Sequence, residues 1–199
     1  NKIGGNVVMT SDKHERATER TAEALSQIEK KNNIKYDIAV MIQGDEPLVY
    51  PEMLNEIIKP FIKKSSIAVS NLMRKLDSNE EILSSDTVKV VTDLNNNALY
   101  MSREAIPSNK NYNHEVNYYR QLGLIAFKNE ALINFVSLKP TKLEIIESVD
   151  MNRFIENKIN IHMVETKLEV DAVDTPKDLI RVENKMKKDK LYKIYSKNE

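Results

Sequence analysis

Cysteine and tryptophan are absent from the 199 residues, and glycine is limited to four. Without cysteine there are no disulfides, no thiolate nucleophile and no Cys-ligated zinc; the composition suits a reducing compartment, so the cytoplasm is the expected location. Neither sign of charge is in excess, with 30 basic and 30 acidic side chains, so no net field selects nucleic acid or an anionic membrane as a partner. No apolar run approaches the roughly 20 residues that cross a bilayer. The N-terminus lacks the basic-then-apolar pattern of a signal peptide. His14, His114 and His162 are scattered and do not form a zinc set. Tyr118, Tyr119 and Phe127 read as packing or pocket-mouth residues, since stacking on nucleic acid would need a basic face. What remains, 41% apolar and 30% charged, is the composition of one α/β domain spanning residues 1–199.

Periodicity supplies the elements. "NKIGGNVVMT" reads as a helix end, a Gly-Gly turn and a strand. A surface helix follows, with Thr10, Ser11 and Asp12 as N-cap candidates and Ala17, Thr21, Ala24, Leu25 and Ile28 at helical spacing. "YDIAVMI" is short and continuously apolar, as a strand buried on both faces would be. Pro51 opens a helix striped by Met53, Leu54, Ile57, Ile58 and Phe61. "SSIAVSNLM" is a strand, and "TVKVVTDLNNNALYMS" a hairpin turning at Asn95 to Asn97, because Asn tolerates positive φ. "NYNHEVNYY" is a loop, "YRQLGLIAF" a strand entering the helix "NEALINFVSL", and "KLEIIESVDMNRFIEN" a further helix. "INIHMVET" is the last strand, and Thr175 caps a helix with Pro176 at N1. The basic tail reads as a solvated helix end. Together these predict three layers, αβα, around a mixed, mainly parallel sheet with an antiparallel insertion near residues 87–127.

Two loops combine a strand end, acids, a proline and a helix start: "QGDEP" (Gln43 to Pro47) and "VDAVDTP" (Val170 to Pro176). In open α/β sheets ligands gather beyond the carboxyl ends of strands, so these loops can converge although far apart in sequence. Convergent carboxylates without His or Cys suit a hard ion such as Mg²⁺, with Asp45 and Asp174 as the candidate ligands. The same spacing equally suits Asp45 and Asp171 as turn or cap residues.

The blocks "VMTSDKHERATERTAEAL", "VMIQGDEPLV", "TVKVVTDLNNNALYMSREAIP", "YYRQLGLIAFKNEAL", "KLEIIESVDMNRF" and "AVDTPKDLIRV" occur in the order and spacing of the 3-deoxy-manno-octulosonate cytidylyltransferases, which the chain resembles over nearly its whole length. That resemblance implies a Rossmann-like nucleotidyltransferase fold and transfer of CMP from CTP to a Kdo-like sugar acid with release of pyrophosphate, in lipopolysaccharide or other surface polysaccharide synthesis. It implies Mg²⁺ on Asp45 and Asp174; Arg16, Thr18, Arg20 and Gln43 at the nucleotide; and Arg103, Arg120, Gln121, Ile125, Glu144 and Asp150 around the sugar acid, with Arg103 also catalytic. It implies a homodimer with the hairpin near the two-fold axis. The alternatives are a nucleotidyltransferase of the same fold using another sugar acid or nucleotide, and a non-catalytic nucleotide-binding relative.

The chain departs from the family pattern in three places. The family opens with a strand and an Arg/Lys-bearing, glycine-containing loop that grips the triphosphate; no segment matches it, so the chain is expected to lack that part. Where the family reads His-Gln-Ser-Gly-Thr-Glu-Arg, this chain has His14, Glu15, Arg16, Ala17, Thr18, Glu19 and Arg20; Arg16 either contacts phosphate or ribose, or lies on the helix surface. The Arg-His-Leu-Gly block is Arg120, Gln121, Leu122 and Gly123, a pocket Tyr is Ile125, and a Glu is Asp150. These changes alter which sugar hydroxyls can be satisfied, which leaves the acceptor open between Kdo and a related sugar acid.

Overall fold

The computed structural model describes residues 5–112 and 114–195. In chain order the elements are α1 (Ala17–Asn32), β1 (Ile38–Ile42), α2 (Pro51–Lys63), β2 (Val69–Lys75), α3 (Asn79–Leu83), β3 (Lys89–Thr92), β4 (Ala98–Ser102), β5 (Tyr119–Lys128), α4 (Asn129–Ser137), α5 (Lys142–Glu147), α6 (Met151–Glu156), β6 (Ile161–Glu165), α7 (Pro176–Met186) and α8 (Lys190–Tyr195). The first four residues of the expected opening turn, Asn113 of the expected loop and the last four of the tail lie outside the described residues.

The sheet is organised around β5, whose ten residues are long enough to serve several partners. On one edge β2 pairs with it from Tyr119 to Phe127; on the other, its C-terminal half pairs with β1 and its first two residues with β3. The sheet is mixed, as expected, and β1, β2, β3 and β6 all run one way. The ladders are another matter: among the described strands only β2·β6 is parallel, because antiparallel β5 separates β1 from β2. "YRQLGLIAF" lies within the antiparallel insertion expected near residues 87–127, and β5 does run antiparallel to its neighbours; its place between β1 and β2 is what the apolar pattern of a doubly covered strand could not give.

Helices cover both faces, giving the three layers. On one face Ala22 and Leu25 of α1, Leu132 and Phe135 of α4, and Met151 and Phe154 of α6 pack on Met41, Met73, Ile125 and Phe127. On the other, Met53, Ile57 and Phe61 of α2 pack on Leu72, Leu122, Leu124 and Ala126. The helical stripe of α2 is thus the one its spacing predicts.

Three local expectations are corrected. Val7 and Met9, read as a strand, are 66% and 81% exposed and pair with no strand among the described residues; an alternating pattern makes a strand only where an edge receives it. The first helix begins at Ala17 with Arg16 at its N-cap, later than Thr10 to Asp12 suggested, and its buried face is Thr18, Ala22, Leu25 and Glu29. The helix read across "KLEIIESVDMNRFIEN" is two, broken by Ser148 in the left-handed region at φ 52°. The hairpin turn stands, with Asn96 at φ 61° and the Asp93 carboxylate accepting from the N–H groups of Asn95 and Asn97.

Candidate active site

Because β1, β2 and β6 share a direction, the ends that carry Asp45, Arg74 and the loop to Asp174 all meet at one edge of the sheet. A cleft of about 670 Å³ opens there, lined by Asp45, Asp174, Arg120, Gln121 and Arg103 among others. The two acid loops are joined by their backbones: Val173 N–H donates to the Asp45 carbonyl at 2.9 Å. At the second loop, Thr175 accepts from Asp178 N–H while Asp178 returns a bond to Thr175 N–H, with Pro176 at N1. The cap read from the sequence therefore belongs to Thr175 and leaves the preceding Asp174 facing solvent.

The floor of the cleft is a bulge. The β2·β5 register slips between Asn71↔Ile125 and Met73↔Gln121, freeing backbone carbonyls that a regular ladder would satisfy. Buried Asn71 repairs the gap: its amide donates to the carbonyls of Leu72, Leu122 and Leu124 at 3.1, 2.9 and 2.9 Å, and its oxygen accepts from Gln121 at 2.9 Å. Inside the bulge, a Cβ on Gly123 would fall 2.9 Å from Gln43 Oε1 and 3.1 Å from Glu46 Cγ. Glycine lets the strand approach the Gln43–Glu46 loop closely enough for Gln43 N–H to reach the Gly123 carbonyl (3.0 Å) and Gly123 N–H to reach Glu46 Oε1 (2.9 Å).

Electrostatically the cleft is unbalanced. Neither the Asp45 nor the Asp174 carboxylate has a hydrogen bond or ion pair among the described residues. Partial burial, then the charges of Asp45, Asp178 and Asp86, push the Asp174 carboxyl above the ordinary range. Burial pushes Glu46 up as well, and its Oε2 is enclosed without a partner. Asp171 differs: despite burial, Lys185 (2.7 Å) and Arg181 (3.0 Å) hold its carboxyl low, making it an anchor for α7. Two carboxylates that repel across a wet cleft are a donor set suited to a hard divalent cation, which takes one or two protein carboxylates and completes its shell with water and phosphate. No group of three or more His, Asp or Glu side chains arranged for a metal occurs among the described residues, so any such ion would rest on this pair and its substrate.

The remaining predicted residues divide. Gln43, Arg103, Arg120, Gln121 and Asp150 line the cleft with the two aspartates. Arg103, however, already donates from Nε to the Glu147 carbonyl and from Nη1 to the Ser85 carbonyl, both at 2.8 Å. Asp150, pushed up by burial, accepts from Thr18 Oγ1 at 2.6 Å. Ile125 is corrected: it is fully buried, facing Met41 and Asn71 across the ladders within the core. Glu144 is also corrected: it is fully buried, completes the α5 capping box with Thr141, and grips Arg153 through both oxygens at 2.5 and 2.7 Å. Thr18 is buried and bonds the cleft-lining Asp150, while Arg20 donates to Thr10 and the Ser11 carbonyl and ties down the segment before α1. Arg16 pairs with Glu144 at 3.3 Å and reaches Ser148 on the cleft wall at 3.1 Å, so it lies between the two readings left open for it. Sequence reasoning missed Glu46 and Arg74. Glu46 stands in the quoted "QGDEP"; Arg74, near the end of β2, carried no signal of its own in the sequence.

An open three-layer α/β sheet with acids and guanidiniums converging beyond its strand ends is the class of protein that handles phosphorylated, nucleotide-like ligands. The cytidylyltransferase family profile matches residues 1–164. The chain is 37% identical to the 3-deoxy-manno-octulosonate cytidylyltransferase of Geobacter metallireducens, covering 92% of this chain and 74% of that protein. It is 35% identical to the enzyme of that name from Fusobacterium nucleatum, over 95% and 75%. A solved CMP:2-keto-3-deoxy-manno-octonic acid synthetase complexed with CTP superposes with a TM-score of 0.81 at 29% identity, covering 93% of this chain and 73% of that one. The chain belongs to the cytidylyltransferase family.

Proposed function

We propose that the protein transfers CMP from CTP to a Kdo-like sugar acid and releases pyrophosphate. The observation that carries this reading is the meeting of Asp45 and Asp174 over Arg120 in one cleft, in a chain of this family. Phosphoryl-type transfer depends on alignment and on neutralising charge that develops on phosphate oxygens. When bound to Asp45 and Asp174, Mg²⁺ supplies that neutralisation. Gln43 and the β1–α2 loop hold the nucleotide side, while Arg120 and Gln121 on β5 orient the acceptor so that its hydroxyl oxygen faces the α-phosphate; that O–P bond forms as the bond to pyrophosphate breaks, and the hydroxyl proton leaves to solvent. Arg103, fixed by two carbonyls, shapes the wall between them. One nucleotidyltransferase domain working as a cytoplasmic homodimer across the β3–β4 hairpin, where Leu94 and Leu99 are exposed, completes the reading.

A second reading, with another sugar acid as acceptor, is favoured by the Gln121–Asn71 bond, which commits a cleft-lining amide where the family carries imidazole. The test is pyrophosphate release from CTP with Kdo and other sugar acids at several Mg²⁺ concentrations. Release with Kdo alone supports the first reading, release with a different acid the second, and release with none overturns both.

A further inference from the structure

Arg74 of β2 lies directly opposite Arg120 of β5, and Lys89 of β3 lies opposite Arg120 on its other side. Directly opposed residues share a sheet face with Cβ atoms about 5 Å apart, and like charges so placed repel. Lys89 is withdrawn from the row: fully buried, it donates to the carbonyls of Ser84 and Thr87 at 2.7 Å and to that of Arg103. The two guanidiniums remain side by side on the cleft floor. Their ion-pair partners are Asp77, just before α3, and Glu81, within α3. Arg74 meets Asp77 at 3.0 Å, but that acid is 67% exposed; Arg120 comes no nearer than 3.9 Å to Glu81. The pair with exposed Asp77 contributes little, and the Glu81 contact is at the edge of ion-pair distance. Arg120 also lies in the field of Glu46 and Asp174, but the direct ion-pair partners of the two arginines are displaceable; such a pair gains from an incoming anion, and a guanidinium fork matches a carboxylate in two-point geometry. Arg103, with two donors committed to carbonyls, is less well placed for that task.

We propose that Arg74 and Arg120 together receive the carboxylate of the acceptor, that Arg74 is a specificity-determining residue, and that the incoming carboxylate displaces Asp77 and Glu81. This rests on the cytidylyltransferase reading above. The test uses pyrophosphate release with the best sugar acid found for the wild type. Arg74→Gln should raise the acceptor KM about 10-fold or more, with the CTP KM moving less than twofold. Arg74→Lys should lie between, because it keeps the charge and loses the fork. Asp77→Asn, which removes the competing acid, should lower the acceptor KM severalfold. Added salt should raise the acceptor KM more steeply in the wild type than in Arg74→Gln. Circular dichroism and Tm report whether each variant folds; if Arg74→Gln does not, Asp77→Asn and Arg74→Lys decide. An unchanged acceptor KM in the folded variants, or a CTP KM that rises equally, overturns the assignment. No release by the wild type with any sugar acid overturns the parent reading instead.

Discussion

Two charge-rich regions lie within the same domain and are built on opposite plans. Around α5 and α6, Glu144 and Arg153 are both fully buried and bonded through both carboxylate oxygens, with Glu19 and Arg16 closing the network at 3.1 and 3.3 Å. The Arg153 guanidinium also lies 4.1 Å from the Phe135 ring centre. At the cleft, Asp45 and Asp174 face each other across solvent, Glu46 keeps an enclosed oxygen without a partner, and Arg74 abuts Arg120. The first region has used its charge on itself. The second has charge left over, and leftover charge held on rigid strand ends is what binds ions and substrates.

That contrast can be broken first at Asp174. Asp174→Asn should lower turnover on the order of 100-fold or more while leaving Tm nearly unchanged, since a solvent-facing carboxylate contributes to the transition state and not to packing. Asp171→Asn, whose charge is spent on Lys185 and Arg181, should alter turnover far less. Steady-state pyrophosphate release with parallel thermal melts checks both, and equal losses in the two variants would erase the distinction drawn here.

The converse change is Arg153→Met, which strands Glu144 as a buried charge. Removing one partner of a buried pair costs about 3 to 5 kcal/mol, a Tm drop of roughly 6 to 20 °C at this chain length. The residual activity per folded molecule should stay near wild type. Adding Glu144→Gln should restore part of the loss, because the stranded charge goes. A Tm unchanged by Arg153→Met would show that the network is not structural.

Gly123→Ala probes the seam between the nucleotide side and the acceptor side of the cleft. The new Cβ must displace Gln43 and Glu46, so a destabilisation of about 1 to 3 kcal/mol is expected, together with a higher CTP KM as Gln43 shifts. Melting curves and CTP titrations measure the two effects separately.

The smallest effect is a pH dependence with opposite sign in the two regions. Burial raises the Glu46 carboxyl in the fold, so its ionised form opposes folding above the unfolded carboxylate range. Glu46→Gln should therefore gain stability relative to wild type as pH rises through the raised value, and the gain should vanish in acid. Glu144, held low by Arg153, Thr141 and Arg16 against the effect of its own burial, contributes stability above the ordinary carboxylate range. That contribution is lost as pH falls through the depressed value. Melts of wild type, Glu46→Gln and Glu144→Gln from about pH 2 to pH 8 in chelator would expose a wrong sign in either.

Much of this organisation was legible in the residues. The turn at Asn96 follows from the tolerance of asparagine for positive φ, the α7 cap from Thr175 and Pro176, and the α2 stripe from 3.6-residue spacing. The loops carrying Asp45 and Asp174 were visible as acids beside a proline at a strand end. Other features were not legible. Ser148 carries no sequence mark of a residue that will take φ 52° and split a helix in two. Glu144 looks like any first-turn helical acid until Arg153 arrives from the next helix to bury it. Ile125 fits a pocket as readily as a core when only its place in a strand is known.

What the sequence alone determined is therefore local: where strands and helices form, where they are capped, and which acids follow a strand end, because backbone propensity and periodicity act over a few residues. What only the tertiary structure decided is which charges meet. The antiparallel insertion of β5 between β1 and β2 sets Arg120 beside Arg74 and brings Gly123 against Glu46. Burial then sorts equivalent carboxylates into those consumed by a partner and those left facing the cleft, and burial depends on the packing of the whole domain.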